Sequence, residues 1–356
     1  MIELNLNPSL LDPDNARPSS FAYIVNAPEV EAKLARIFRR RGLCLKVSRQ
    51  PLKEGLTAET ATWGRAPLLD LSRIQNIYAW HGLAPRVYAL GLLNDEYAAQ
   101  VVEFDRDEGK ANIPAILSLA QRYGVKSRKN WDVGPRNWIG GHLVDFSGLY
   151  FEDWEWTLGQ LVIEAYTRRG KNIGSAYQSV PGLGIRGQRD MQHRLSVVGL
   201  DAVDFAGKIV LDLGCNLGAF CRYSARRGAA RVVGVDRVTA RQAYEVANWL
   251  GHWNIDYLDL SLPDEIEAIE AATGLGQFDI VFANAIVNHV NGYAPWLAGL
   301  VKPGGLLYFE GHGKVERGIY TAGLERDFGE VTKLGETTDN YQREVFRCRK
   351  RTSRSQ

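Results

Sequence analysis

A glycine-rich turn between two carboxylates is the stretch of this sequence best suited to chemistry. Asp212 lies near the end of a short apolar run, the turn Gly214–Gly218 reads GCNLG, and Asp236 follows a second apolar run. Glycine lets the backbone approach a ligand where a Cβ would clash. An acid after the second strand can accept hydrogen bonds from ribose hydroxyls. The order of strand, glycine turn, helix, strand and acid predicts a βαβ unit that holds a nucleoside.

The turn differs from the turn of dinucleotide-binding proteins. It reads G-x-N-x-G, with Asn216 and Ala219 at places where a pyrophosphate cradle needs glycine. Asp212 would also repel a phosphate, whereas a cationic nucleoside without phosphate tolerates this acid. The stretch resembles motif I of the class I S-adenosylmethionine-dependent methyltransferases, whose usual form is close to D-x-G-x-G-x-G. The alternative is an ordinary βαβ crossover that binds no ligand.

This resemblance implies a fold and a cofactor. The fold is α/β: a Rossmann-like, seven-stranded methyltransferase sheet, mostly parallel with the last strand antiparallel, preceded by a smaller α+β domain. The cofactor is S-adenosyl-L-methionine. In the family an acid after the third strand bonds the adenine amino group, and a glycine-rich segment often covers the cofactor. The implied cofactor-binding residues are Tyr177, Arg186, Asp212, Gly214, Cys215, Asn216, Gly218, Asp236, Arg237, Asp259, Leu260 and Asn284. Tyr177 and Arg186 could instead belong to a linker with solvated arginines.

Two histidines are candidates for a general base. His289 and His312 follow central strands of the predicted sheet, and methyl transfer to an oxygen usually needs a base. Glu310 is a third candidate for the catalytic group, with a role in orienting the others. The alternative is that His289 caps a helix and His312 fills a turn. His, Cys, Asp and Glu residues show no metal-ligand spacing, so no metal is predicted for this region.

The N-terminal half contains a second constellation. Asp132 and Asn137 have the spacing D-x4-N, Asp145 lies in the sequence DFSG, and Lys46 ends a predicted strand. This order resembles protein-kinase-like phosphotransferases, which implies magnesium at Asn137 and Asp145 and a phosphate at Lys46. No glycine-rich loop precedes Lys46, and the helix predicted over 68–81 offers only Asp70 as its acidic partner. We therefore expect ATP to bind weakly or not at all. The alternatives are a degenerate kinase-like scaffold and an unrelated α+β domain in which Asp132 and Asp145 are turn or capping residues.

Length and composition set the wider limits. The 356 residues predict an α+β, acceptor-binding domain at 1–150, a helical connector and lid at 151–195, the methyltransferase domain at 196–349 and a tail at 350–356. The net charge of +2 makes nucleic acid an unlikely partner. Four cysteines without a C-x-x-C pair predict reduced thiols and a cytoplasmic protein, and no run of residues has the length and apolarity of a membrane span. The oligomeric state is not predicted.

These patterns predict a methyltransferase that acts on an oxygen of a small-molecule or glycan acceptor. Two alternatives remain from the sequence. The first is a bifunctional kinase–methyltransferase that modifies a glycan terminus. The second is a regulator that binds the cofactor without turnover.

Overall fold

The computed structural model divides the chain into two units. One consists of residues 1–161 and 248–253, and the other of residues 162–247 and 254–356. The structure describes residues 21–25, 42–48, 62–63, 66–93, 97–104, 110–127, 133, 137–139, 141–146, 149–151, 153–168, 176–252, 254–287, 290, 293, 295–312, 317–338 and 342–352. Among these residues, no helix has the length and apolarity needed to cross a membrane.

The first unit contains small antiparallel sheets and helices. Its strands are β1 (Phe21–Val25), β2 (Gly42–Ser48), β3 (Thr62–Trp63), β4 (Ala66–Pro67), β5 (Val87–Leu93), β6 (Tyr97–Phe104), β7 (Val125–Ser127), β8 (Trp138–Ile139), β9 (His142–Leu143) and β10 (Leu149–Phe151). Its helices are α1 (Leu68–Trp80) and α2 (Ile113–Arg122), and α3 (Trp154–Arg168) runs from this unit into the other. The main sheet has the order β1-β2-β6-β5, with all neighbours antiparallel.

Buried polar side chains hold α1 in this unit. Asn76 exchanges two hydrogen bonds with the backbone of Val87 at the start of β5, donating over 3.2 Å and accepting over 2.7 Å. Gln100 on β6 donates to the Ser72 hydroxyl over 2.6 Å. Buried polar groups cost free energy unless they are paired, so these bonds fix where α1 lies on the sheet.

The residues of the kinase-like pattern are only partly described. Lys46 lies in β2, Asn137 is buried, Asp145 is half-buried, and Asp132 lies outside the described residues. Asp70 of α1 forms an ion pair with Arg73 over 2.9 Å. The kinase-like interpretation of this unit stays a prediction.

The second unit is built on one seven-stranded sheet, as the sequence predicted. Its strands are β11 (Ile209–Leu213), β12 (Arg231–Val235), β13 (Ile255–Leu258), β14 (Phe278–Asn284), β15 (Val301–Glu310), β16 (Glu330–Glu336) and β17 (Glu344–Arg349). The order is β13-β12-β11-β14-β15-β17-β16, and β17 runs antiparallel to both of its neighbours while the first five strands are parallel. The helices of this unit are α4 (Met191–Val197), α5 (Ala219–Arg226), α6 (Ala240–Trp249, with its last two residues in the first unit), α7 (Ala268–Thr273), α8 (Trp296–Gly299) and α9 (Arg317–Asp327).

The central strands are apolar because helices cover both faces of a parallel sheet. Four consecutive residues of β11 and of β12 are buried, and so are the last five residues of β14. Rings of Phe220, Phe282 and Tyr308 stack across this core, with centroids 5.1 and 5.4 Å apart. Such a core holds the carboxyl ends of the strands rigidly.

The sheet order reverses at β11. From β11 the chain moves outward through β12 to β13, and then returns to place β14 and β15 on the other side. Ligands of open α/β sheets bind in the crevice at such a reversal, beyond the carboxyl ends of the strands. The site is therefore expected where β11, β12 and β14 end.

Candidate functional site

The glycine turn after β11 needs glycine for two independent reasons. Gly214 and Gly218 have φ values of +69° and +73°, which residues with a Cβ rarely adopt. A Cβ at Gly214 would lie 2.5 Å from Cγ2 of Ile286, and one at Gly218 would lie 2.2 Å from the hydroxyl oxygen of Tyr257. Backbone conformation and packing against Ile286 and Tyr257 thus both require glycine at these two positions.

Asp236 connects the two strand ends that a nucleoside would contact. One oxygen, Oδ1, accepts hydrogen bonds from the amides of Val238 (2.8 Å) and Thr239 (2.9 Å), and Oδ2 accepts one from the amide of Asn216 (3.1 Å). A carboxylate has about four acceptor positions, so Oδ2 can still accept from a ribose hydroxyl. The half-buried side chain can therefore hold the glycine turn and a ligand at once.

Asp212 lies beneath the same turn and is buried. Its Oδ2 accepts a hydrogen bond from the Cys221 thiol over 3.3 Å. Burial raises the pKa of Asp212 to about 7, although the Cys221 hydrogen bond and the charge of Arg194 act in the opposite direction. Near neutral pH this carboxyl group is accordingly close to the midpoint of its titration.

The raised pKa predicts a pH-dependent stability. An unfolded Asp titrates near 3.9, so between about pH 4 and pH 7 the folded state binds more protons and stability falls as pH rises. The charged groups that act on Asp212 are Arg194, Arg222 and Asp236, and the Cys221 thiol faces it.

We expect Asp212→Asn to gain thermal stability relative to the natural protein at pH 8, and to gain less or none at pH 5. Thermal denaturation of both proteins at the two pH values measures this difference. If the two proteins differed in stability by the same amount at pH 5 and pH 8, Asp212 would not have a raised pKa.

The side chain of Gln178, which precedes β11 in the sequence, forms hydrogen bonds with the backbone of the glycine turn. The sequence did not predict this role. Its buried side chain donates to the carbonyl of Cys215 over 3.1 Å and accepts from the amide of Ala219 over 3.2 Å. A Cβ at Gly187 would lie 2.1 Å from the backbone of Gln178, so this segment folds tightly on itself. The glycine-rich composition of residues 174–189 was the only signal for it.

The two residues of that segment predicted to bind the cofactor, Tyr177 and Arg186, differ in their burial. Arg186 is exposed, whereas Tyr177 is half-buried and accepts a hydrogen bond from Nε of Arg189 over 3.1 Å. The arginine that contacts Tyr177 is thus Arg189, and a role of Arg186 in the site stays a prediction.

The residues predicted to contact the nucleoside follow two neighbouring strands. Strands β12 and β13 are hydrogen-bonded in parallel register, so Asp236 and Asp259 follow them at the same edge of the sheet. Asp259 is exposed and Leu260 is buried, which suits contacts to an adenine amino group and ring. Arg237 is exposed at the same edge.

The other predicted residues follow β14 and β15. Asn284 lies directly beside Glu310 in the register of these strands. Asn284 is 8% exposed, and both polar atoms of its side chain lack a hydrogen-bond partner within the described part of the chain. An orphaned buried amide at a strand end indicates a ligand that completes its hydrogen bonds. His312 is buried and lies two residues after Glu310 in the sequence. His289 lies outside the described residues.

Glu310 is fully buried and both of its oxygens are in use. Oε2 accepts from Nη2 of Arg194, and Oε1 accepts from Nη1 of Arg343 over 3.0 Å. Neither arginine was predicted, because they lie 116 and 33 residues from Glu310 in the sequence. Within the described ranges, no three His, Cys, Asp or Glu residues are arranged to hold a metal ion.

The fold is an α/β domain whose candidate nucleoside site lies at its topological reversal. Comparison with known proteins makes this more specific: residues 186–331 match the methyltransferase domain family. This region has the seven-stranded sheet of the class I methyltransferase fold, and the cofactor that the match indicates is S-adenosylmethionine. The glycine turn, Asp236 and the orphaned amide of Asn284 fit that cofactor.

Curated relatives cover part of the chain. A ribosomal protein L11 methyltransferase from Burkholderia pseudomallei (strain 668) is 34% identical over 55% of this chain and 59% of its own length. The enzyme of the same name from Janthinobacterium sp. (strain Marseille) is 35% identical over 37% of this chain and 41% of its own. This chain thus spans between about two fifths and three fifths of these relatives. A solved S-adenosylmethionine dependent methyltransferase from Mesorhizobium loti is 17% identical, with a TM-score of 0.33, and covers 44% of this chain and 98% of its own.

Proposed function

We propose that this protein transfers a methyl group from S-adenosylmethionine to an oxygen of a small-molecule or glycan acceptor. The observation that carries this proposal is Asp236, whose carboxylate is held by three backbone amides and keeps acceptor capacity toward the crevice. The cofactor supplies an activated methyl group on a sulfonium. The protein supplies position, because methyl transfer needs the acceptor in line with the bond that breaks.

Each part of the site has a role in this proposal. Asp236 accepts from the ribose hydroxyls, and Asp259 accepts from the adenine amino group. Gly214 and Gly218 let the backbone come close to the ligand. Asp212 lies below the turn, and its ionised form, which bound positive charge would stabilise, favours a cationic ligand over a phosphate. Asn284 offers a buried amide where the acceptor and the methyl donor meet.

Calorimetric titration tests the cofactor assignment. We expect S-adenosylhomocysteine to bind and NAD not to bind. Binding of NAD with no affinity for S-adenosylhomocysteine would refute the proposal. A regulator without turnover would bind S-adenosylhomocysteine equally well, yet it would transfer no labelled methyl group to any acceptor.

His312 is proposed as the general base. It is 7% exposed and follows β15, whose neighbour β14 ends at Asn284. We expect His312→Ala to lower turnover by about a hundredfold or more and to leave the affinity for S-adenosylhomocysteine nearly unchanged. His193→Ala, which changes a histidine of α4 outside the proposed machinery, is the control and should keep its turnover. Full activity of His312→Ala would instead indicate an acceptor oxygen that is already ionised.

A protein acceptor is the second candidate. It is favoured by the 34% identity with an enzyme whose name specifies ribosomal protein L11 as its substrate. Incubation of a cell extract with this protein and methyl-labelled S-adenosylmethionine separates the two candidates. We expect label in the low-molecular-weight or glycan fraction, and label confined to the protein fraction would establish the second candidate.

A further inference from the structure

Asp212 is buried and forms no ion pair with any residue that the structure describes. It is 2% exposed, and its hydrogen-bond partner within the described ranges is the Cys221 thiol, at 3.3 Å. The two arginines whose charges act on it are engaged elsewhere, since Arg194 pairs with Glu310 and Arg222 donates to a backbone carbonyl. A buried carboxylate without a paired cation costs free energy, so a ligand that brings positive charge would stabilise the ionised form.

Asp212 lies between the strand ends proposed for the ribose and for the acceptor. Strand β11 is the neighbour of both β12 and β14, and Asp212 lies beside Gly234 and Phe282 in the register. Asp236 and Asn284 each follow two residues later in the sequence, on strands spaced about 4.8 Å from β11. In S-adenosylmethionine the sulfonium sulfur joins the ribose to the methyl group that is transferred. A cofactor with its ribose at Asp236 and its methyl group directed toward Asn284 therefore has its sulfonium at the end of β11, over Asp212.

Among the buried groups around this position, Asp212 is the one that changes its charge near neutral pH. The charged and titratable groups that interact with it are Arg194 of α4, Cys215 of the glycine turn, Cys221 and Arg222 of α5, Asp236 after β12 and Tyr257 of β13. Burial raises the pKa of Cys221 to about 11 and the pKa values of Cys215 and Tyr257 well above their ordinary values, so these three groups stay neutral below pH 8. Arginine stays charged over the same range.

We propose that Asp212 recognises the sulfonium charge of the cofactor, so that S-adenosylmethionine binds with release of a proton from this carboxyl group to the solvent and S-adenosylhomocysteine binds without it. A nearby positive charge favours the ionised form of a carboxyl group. S-adenosylhomocysteine has a neutral sulfur, and its ammonium group is balanced by its own carboxylate. Asp212 thus strengthens the binding of the methyl donor over that of the product. This inference rests on the proposed methyltransferase function and adds the residue that distinguishes the two charge states of its cofactor.

Calorimetric titration without any acceptor tests this proposal, because both ligands are known and no turnover occurs. From pH 6 to pH 7.5 we expect the affinity for S-adenosylmethionine to rise about threefold or more and the affinity for S-adenosylhomocysteine to change by about twofold or less. Titrations at pH 7 in two buffers with different ionisation enthalpies count the protons released. We expect roughly half a proton to be released with S-adenosylmethionine and almost none with S-adenosylhomocysteine.

Two variants separate the protein's titration from that of the ligands. Asp212→Asn should weaken the binding of S-adenosylmethionine about fivefold or more at pH 7.5 and leave that of S-adenosylhomocysteine nearly unchanged. It should also remove the extra proton release. This variant buries no charge and should be at least as stable as the natural protein at this pH, so its lost affinity cannot come from unfolding. Asp204→Asn, at an exposed carboxylate of the same unit, is the control and should keep both affinities and their pH dependence. The amino group of each ligand titrates alike with every variant, so differences between variants report the protein.

The possible outcomes distinguish this inference from the proposed function. Equal weakening of both ligands by Asp212→Asn would assign the carboxylate to the ammonium group that they share and overturn the inference. Unchanged affinity of Asp212→Asn for S-adenosylmethionine, or equal proton release with both ligands, would also overturn it. Failure of both ligands to bind the natural protein would refute the methyltransferase function itself, whereas normal binding of both without an effect of Asp212 would refute only the inference.

Discussion

Replacement of Glu310 by alanine should lower the free energy of unfolding by about 3–5 kcal/mol. Glu310 is completely buried, and its two oxygens pair with Arg194 and Arg343, which are buried as well. Removing the carboxylate leaves two guanidinium groups in an environment that cannot solvate them. Chemical denaturation of both proteins at pH 7, followed by the fluorescence of the tryptophans, measures the change.

A surface carboxylate of the same unit is the matched control for this prediction. Glu330 of β16 is half-exposed and pairs with Arg347 over 3.4 Å and with Arg349 over 3.5 Å. Glu330→Ala should change stability by about 1 kcal/mol or less, since exposed ion pairs contribute little. If Glu310→Ala costs no more than Glu330→Ala, the buried ion pairs do not have the arrangement described here.

Asp236→Ala should weaken the binding of S-adenosylhomocysteine by about 1.5–3 kcal/mol, or roughly ten- to 150-fold. The variant loses the acceptor for the ribose hydroxyls. It also loses the hydrogen bond that ties Asn216 of the glycine turn to the end of β12. Calorimetric titration of the two proteins gives the ratio of their dissociation constants.

Two further variants separate ligand contact from local structure. Asp236→Asn keeps an oxygen that can accept from Val238 and Thr239, so it should lie between the natural protein and Asp236→Ala. Asp204→Ala removes an exposed carboxylate that caps the amide of Ala206 over 3.0 Å elsewhere in the unit. This control should bind S-adenosylhomocysteine normally. Unchanged affinity in Asp236→Ala would mean that the nucleoside does not lie at this strand end.

Several features of the candidate site could be predicted because they are local in the sequence. The strand β11, the glycine turn, α5, β12 and Asp236 lie within about thirty consecutive residues, and each is marked by apolar runs, glycines or a terminal acid. The seven-stranded sheet and its antiparallel pair follow from the same kind of pattern along the second half of the chain. Parallel, buried strands have near-continuous apolar sequences, which makes them easy to recognise.

Other features could not be predicted because they depend on residues that meet only in the folded protein. Arg186 and Arg189 are three residues apart in one glycine-rich segment, yet the first is exposed and the second is buried. The segment has no regular helix or strand period, so nothing in the sequence indicates which side chain faces inward. Gln178 likewise contacts Cys215, 37 residues away.

The sequence by itself determined the class of fold, the glycine turn and the acid at the end of β12, since these depend on short-range steric and hydrophobic patterns. Only the tertiary structure decided that Glu310 is enclosed by Arg194 and Arg343 and is not exposed as a base. It also decided that Arg189 is buried and donates a hydrogen bond to the Tyr177 hydroxyl. The physical reason is that a charge acquires its function from its burial and its neighbours, and for these residues both come from distant parts of the chain.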